Sequence, residues 1–374
     1  MKNIYKLVKA TTMIPEIRRK SGNYRHSLVS ILVIAFCAII CGAQTYDELE
    51  EFGECKYTWL SLFLDLPNGI PSADTFQRVF ELLDPDVVAK RLRKIFSDKE
   101  VVNKIIAFDG KTMRGSKNEK HRAFHVLSAF LVDDQIVIGE EIVDEKSNEI
   151  TAIPELLDEI NVRGATVTID AMGCQKEIAS KIIEKGADYV LAIKGNQGSL
   201  HDSVKGYFEM FTPKHSAVTR GTKSGRQEIR EYFLETDVKW LTDPPYDMPE
   251  TVVWQGLSAI GMVKSTVVAK GKTTCETRYY ITTLTDIETF AHAVRGHWSI
   301  ENQLHWHLDF TFGEDASRFA DKNAASLWNV LRKTALEYLK NVDPGSRVSL
   351  KTRRKRAGWE DAYLEKILLN DSAS

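Results

Sequence analysis

The sequence predicts an α/β protein: a mixed-sheet core with a β-rich insertion, preceded by an all-helical segment. Three observations predict it. Up to about residue 97, apolar residues recur at helical spacing. From about residue 100, short β-branched runs such as VNKIIAFD, TVTIDA and DYVLAIK alternate with helix patterns such as KEIASKIIEKG. Between about 212 and 286, strand-like segments follow one another across Gly, Pro and Lys turns. The expected domains are therefore residues 1–97 and 98–374, with the insertion inside the second.

The first part reads as helices. Residues 28–43, LVSILVIAFCAIICGA, are apolar on every side, as in a helix buried in a core. The run falls short of the about 18 to 20 residues a membrane span needs, and a charged segment precedes it with no signal peptide. In TYDELEEFGE, Thr45 caps a helix and Glu48, three residues on, completes a capping box. TWLSLFLDL gives another short helix. Asn68 and Gly69 then turn the chain, and a helix from about Asp74 carries Phe76, Val79 and Phe80 on one side. Two short helices and a turn before a third suit a helix-turn-helix offering Thr75, Gln77 and Arg78 to a DNA groove, or equally a plain bundle.

The second part changes period. VNKIIAFD is a strand, and FHVLSAFLVDD and QIVIGEEIV make two antiparallel strands around Asp133 and Asp134. SNEITAIPELLDEI is a helix capped by Ser147 or Asn148. Strand TVTIDA, helix KEIASKIIEKG, strand DYVLAIK and helix QGSLHDSVKGYFEMF follow. The order β-β-β-α-β-α-β-α describes a mixed sheet with helices on its faces, and it is the strand order of the ribonuclease H-like fold. REYFLETDVKWL, GLSAIGMVKSTVVA and ETRYYITTL fill the insertion. Helices resume at TFAHAVRGHWSIEN and AASLWNVLRKTALEYLKNV, followed by a basic tail and a last helix, EDAYLEKILL.

Composition narrows the class. The 374 residues are 43% hydrophobic and 27% charged, as in ordinary globular proteins, with a net charge of −2. No global basic field advertises a nucleic-acid partner, so any DNA surface must be local. Five cysteines (Cys37, Cys41, Cys55, Cys174, Cys275) show no CxxC spacing and suit a reducing cytoplasm. Cys37 and Cys41 share one helix face and read as packing residues.

Three acids carry the chemistry. Asp109 closes the run IIAFD, Asp170 closes TVTID, and Glu301 sits in a helical stretch, HWSIENQLHWHLDF. Two strand-end aspartates and a helix-borne glutamate can converge and hold two divalent cations, one at the attacking and one at the leaving oxygen of a phosphodiester. Mg²⁺, with Mn²⁺ as a substitute, takes few carboxylates plus water and phosphate oxygens. His297, Glu301 and His305 fall at i, i+4 and i+8 on one helix face. That face reads as phosphate contacts or carboxylate orienters, with a zinc site as the alternative. Trp298 and Trp306 read as core, and base stacking is the other reading.

Basic and amide groups gather nearby in sequence. DGKTMRGSKNEKHR brings Lys111, Arg114, Lys117, Lys120 and Arg122 directly after the first acid. Lys194, Asn196 and Gln197 follow the DYVLAIK strand and suit phosphate binding, or a turn with an N-cap. Arg295, His297, Asn302 and His305 flank Glu301 as further DNA contacts. Residues 344–359 hold Arg347, Lys351, Arg353, Arg354, Lys355 and Arg356 with no acid, the densest local phosphate-contact candidate.

IPEIRR, NGIPSADTFQRVF, IAFDGKTMRGS, EKSNEITAIPELL, VTIDAMGCQKEIA, GADYVLAIKGNQ, RGHWSIENQLHWHLDFTFGEDASR and KRAGWEDAYL together resemble the ISAs-type insertion-sequence transposases, DDE transposases that include the H-repeat-associated proteins. The resemblance runs from about Ile14 to Leu369 with the motifs in order. It implies a helical associated domain and a ribonuclease H-like catalytic core. It also implies metal-dependent cleavage of double-stranded DNA at terminal inverted repeats, strand transfer by the freed 3′-hydroxyl, and a dimer or higher multimer on DNA in the cytoplasm, at the nucleoid. The family's acidic triad maps onto Asp109, Asp170 and Glu301. Two departures stand out. Related transposases carry a Tyr-Arg-Glu-Lys signature around the glutamate, where this chain has Val294, His297 and Leu308 beside Glu301. The insertion's HGRxExR pattern has Ser224 in place of the histidine. The alternative reading is a domesticated DNA-binding protein that keeps the fold without activity.

Overall fold

A computed structural model describes residues 4–18, 24–93, 99–117, 123–143, 149–223, 225–242, 254–343 and 346–369. Lys120, Arg122, Ser147, Asn148 and Ser224 lie outside the described residues. The chain divides into two compact units: residues 1–99, 112–125 and 302–374 form one, and residues 100–111 and 126–301 form the other. The C-terminal helices thus cluster with the N-terminal ones.

The first unit opens with α1 (Ile4–Thr12), α2 (Leu28–Cys41), α3 (Tyr46–Cys55), α4 (Tyr57–Leu60), α5 (Ala73–Leu82) and α6 (Pro85–Arg93). The apolar run becomes α2, started by Ser27, whose hydroxyl accepts the Ser30 N–H at 2.9 Å. It ends at Gly42, whose φ of 126° only glycine adopts readily. Every residue from Ile31 to Ile40 is buried, as a helix without a polar side must be. Each large side chain there contributes about 1.5–3 kcal/mol on burial. Among the described residues no single helix is long and apolar enough to cross a membrane. Thr45 caps α3 by accepting the Glu48 N–H, and the Glu48 carboxylate reaches back to the Gln44 N–H, a capping box displaced by one residue. α5 buries Phe76, Val79 and Phe80 and leaves Gln77 and Arg78 exposed.

Among the described residues, the second unit is built on one nine-stranded sheet: β1 (Ile105–Thr112), β2 (His125–Leu131), β3 (Ile136–Val143), β4 (Thr166–Ile169), β5 (Asp188–Ile193), β6 (His215–Lys223), β7 (Arg226–Glu235), β8 (Ala259–Ala269) and β9 (Lys272–Thr282). Their spatial order is β3-β2-β1-β4-β5-β9-β8-β7-β6. β1, β4 and β5 are parallel neighbours; α7 (Glu149–Glu159) leads from β3 into β4, and α8 (Lys176–Glu184) from β4 into β5. After α9 (Gly198–Met210), strands β6 to β9 pair antiparallel, and β9 docks antiparallel on β5. The β-rich segment therefore extends the main sheet. It includes a strand, β6, absent from the sequence reading because HSAVTRGTK shows no apolar alternation. α10 (Lys239–Thr242) follows β7, and α11 (Ile287–Ser299) packs on β4, β6 and β7.

The remaining helices return to the first unit: α12 (Trp306–Phe310), α13 (Lys322–Asn341), α14 (Leu350–Trp359) and α15 (Asp361–Leu369). α13 starts at Asp321, which accepts the Ala324 N–H, and packs against α2, α5 and α6. Phe319 stacks on its Trp328 at 4.9 Å.

Candidate active site

The parallel register of β1 and β4 sets the site. Ile105 to Phe108 pair with Thr166 to Ile169 in step, so Asp109 and Asp170 are the next residues on both chains. Neighbouring strands lie about 4.8 Å apart and residues in register point to the same side. Asp109 is not the end of its strand, since β1 runs on to Thr112; it stands where the pairing with β4 stops. The Asp170 carboxylate accepts the Met172 N–H at 3.0 Å and the Gly173 N–H at 3.3 Å, a turn that fixes its orientation. Gly173 is required there: a Cβ would stand 2.4 Å from the Ile169 side chain and 2.8 Å from that of Ile153.

Glu301 completes the cluster electrostatically. Burial, then the Glu301 charge, then the Asp170 charge push the Asp109 carboxyl up to about 7, and the Gly110 N–H only partly offsets them. Glu149 adds to the rise; it is a fourth acid, 3% exposed at the start of α7, that strand-end reasoning could not find. Glu301 lies in a π-helical turn, Ile300–His305, inserted after α11. A π turn hydrogen-bonds i to i+5, so His297, Glu301 and His305 do not share one straight α-helical face, contrary to the sequence reading. Among the described residues, no three His, Cys, Asp or Glu side chains form a ready-made metal cluster.

His297 hydrogen-bonds through Nδ1 with the Thr168 hydroxyl at 3.0 Å, two residues before Asp170. Burial lowers its pKa to about 4, against the pull of Asp170, so it is a neutral imidazole at neutral pH. It cannot supply the charge of an arginine in that position. Thr168 escaped the sequence reading, although its place two residues before Asp170 was the available signal. A pocket of about 110 Å³ opens beside these groups, lined by Thr168, Asp170, Lys194, His201, Arg278 and His297 among others. Arg278 lies over the Trp298 ring at 4.2 Å, so Trp298 packs against a cation.

The expected phosphate contacts fare differently. Lys194 is exposed at the pocket rim. The Asn196 amide donates to the Ala171 carbonyl at 2.6 Å and that of Gln197 to the Cys174 carbonyl at 2.9 Å. These two amides tie down the loop after Asp170. Lys111 is half-buried; Arg295 is exposed and 3.5 Å from Glu228. In the other unit, Arg114 is 77% exposed, 3.6 Å from Asp315, while Asn302 is exposed and His305 half-buried. Gln77 donates to Glu81 and Arg78 lies 3.7 Å from Asp74, both on the surface.

The basic tail is divided. Arg353 and Arg354 are each 5% exposed, contrary to their reading as DNA contacts. Arg353 donates to the carbonyls of Leu339, Asp343 and Val348, and Arg354 to those of Ile39, Ile40 and Thr311. Spacing does not distinguish a guanidinium that satisfies buried carbonyls from one that meets water. Lys355 and Arg356 are exposed, and Arg356 pairs with Glu360 at 2.9 Å. Trp306 is not core: it is 49% exposed and stacks on Phe310 at 4.6 Å.

A family model described as "Transposase DDE domain" matches residues 102–337. The chain belongs to the DDE transposase family. A second model, described as "DDE_Tnp_1-associated", matches residues 10–95 of this transposase. It is 38% identical to "Putative transposase YncI" of Escherichia coli O157:H7, over 99% of this chain and 96% of that relative. It is 37% identical to "H repeat-associated putative transposase YhhI" of Escherichia coli strain K12, over 99% of both. A solved structure, the piggyBac transposase synaptic complex with hairpin DNA, aligns at 10% identity and a TM-score of 0.48, covering 100% of this chain and 80% of that one.

Proposed function

We propose that this transposase binds the terminal inverted repeats of its element, cuts DNA strands there and joins the freed ends to target DNA. The observation that carries the reading is that Asp109 and Asp170 each follow the last parallel pair of β1 and β4, with burial, Glu301 and Asp170 together raising the Asp109 carboxyl to about 7. Three carboxylate oxygen donors, with the ionisation of Asp109 opposed by Glu301 and Asp170, suit hard divalent cations, whose charge removes the conflict. Asp109, Asp170 and Glu301 would hold them, two Mg²⁺ with Mn²⁺ as a substitute. When bound, the cations would supply Lewis-acid stabilisation of the attacking and leaving oxygens.

The chain's own groups do the positioning. Asp170 is oriented by two backbone N–H groups, and the Asn196 and Gln197 amides brace its loop. Neutral His297 packs beside Asp170 without adding charge. Water attacks the phosphorus, the bond to the 3′ oxygen breaks, and that oxygen leaves as a hydroxyl that next attacks target DNA. Lys111, Arg114, Lys194, Arg295, Asn302, His305, Lys355 and Arg356 are the proposed DNA contacts. Gln77 and Arg78 on α5 are the proposed groove contacts of a helix-turn-helix in residues 1–97. The ribonuclease H-like catalytic domain is residues 98–374, and the working form is a dimer or higher multimer on double-stranded DNA.

The test is incubation with repeat-ended DNA and Mg²⁺ or Mn²⁺. Nicked ends together with joined products support the proposal. Nicking without joining reduces it to a plain endonuclease, and binding without cutting leaves a domesticated DNA-binding protein.

A further inference from the structure

The helix that carries Glu301 changes register where it matters. A π turn shifts the hydrogen-bond ladder by one residue, so a carbonyl at its edge must find a partner outside the helix. The turn Ile300–His305 contains both Glu301 and Gln303, and the Gln303 carbonyl accepts the Lys340 ammonium at 2.7 Å. Lys340 is the penultimate residue of α13, a helix buried along nearly its whole length. Such π insertions are short and cost backbone geometry, so they persist only where neighbouring groups hold them.

We propose that Lys340 is a positioning residue for Glu301, fixing the π-helical turn by donating to the Gln303 carbonyl. The inference rests on the reading of Glu301 as a cation ligand. The ammonium is kept at a cost: burial pushes its pKa down to about 7, with Glu337 pulling the other way. Its charge also reaches His307, which burial and Lys340 together bring to about 4. A lysine under such desolvation that donates to a backbone oxygen of a non-α turn acts on the shape of that turn. Through the continuous backbone it sets where Glu301 stands.

Two readouts on the intact chain test this: amide hydrogen exchange across residues 300–307 without metal, and Mn²⁺ titration by calorimetry. Lys340→Met keeps the side-chain length and removes the charge. It should speed exchange in the turn and weaken Mn²⁺ binding, each about tenfold, the equivalent of one charged hydrogen bond. Its thermal midpoint should fall, because the buried Glu337 and the Gln303 carbonyl both lose their cation. Slower or equal exchange with unchanged Mn²⁺ affinity overturns the proposal. If Lys340→Met does not fold, Lys340→Arg, which keeps a donor for the Gln303 carbonyl, must match the unmodified chain in both readouts. A folded Lys340→Arg that binds Mn²⁺ more weakly overturns it. An unmodified chain that binds no Mn²⁺ refutes the carboxylate reading and this inference with it, whereas normal binding by both refutes the Lys340 role alone.

Discussion

Asp109 and Asp170 stand one step beyond the last parallel pair, Phe108 with Ile169, so two carboxylates lie side by side on neighbouring strands. Burial first, then the charges of Glu301 and Asp170, push the Asp109 carboxyl up to about 7. The same crowding makes the site costly to fold without a counter-charge.

The cost has a pH signature. The pKa of Asp109 in the folded chain, about 7, lies above the ordinary aspartate value, so the protonated form favours folding. That contribution is complete below pH about 4 and is lost as pH rises through about 7. Asp109→Asn should therefore be more stable than the unmodified chain at pH 8, by about 1–3 kcal/mol, and nearly equal to it at pH 4. Urea denaturation at the two pH values checks this; equal stability at pH 8 would contradict the crowding.

Cation binding should relieve the same strain. In millimolar Mg²⁺ at pH 8 the thermal midpoint of the unmodified chain should rise with concentration, by mass action on the folded state. The rise should vanish in the double variant Asp109→Asn, Asp170→Asn. Calorimetric scans across a Mg²⁺ series measure it, and an equal rise in both proteins would place the cation elsewhere.

Asn196 separates bracing from phosphate contact. Asn196→Ala removes the 2.6 Å bond to the Ala171 carbonyl and should cost about 1–2 kcal/mol while slowing cleavage. DNA affinity, read by fluorescence anisotropy, should stay within about twofold. A larger loss of affinity with stability intact would return Asn196 to the DNA contacts.

Arg354 and Lys355 should part company. Arg354→Ala leaves the carbonyls of Ile39, Ile40 and Thr311 without their donor and should destabilise the fold by about 3 kcal/mol or more. Lys355→Ala, on the surface, should change stability by less than about 0.5 kcal/mol and reduce the salt slope of DNA binding by about one. Denaturation and salt-dependent binding curves on both variants decide it.

Much of this was legible in the sequence. The β-branched runs ending in Asp109 and Asp170 marked both strands, and the helical spacing of Phe76, Val79 and Phe80 marked the buried side of α5. Local pattern ran out where tertiary contacts decide. A strand as polar as β6 is held by its partner β7, and the π turn at Glu301 has no signature in residue spacing. Arg353 and Arg354 look like any basic cluster until the carbonyls they satisfy are in place. The neutral state of His297 follows from burial, which no motif records.

The central claim is that Asp109, Asp170 and Glu301 make one cation-dependent DNA-cutting site. Strand cleavage of repeat-ended DNA by the unmodified chain and by Asp109→Asn, with Mg²⁺ and with chelator, tests it most directly. Nicking is expected only from the unmodified chain with Mg²⁺, while the variant still binds the DNA. Mg²⁺-dependent nicking by Asp109→Asn at the unmodified rate would contradict it.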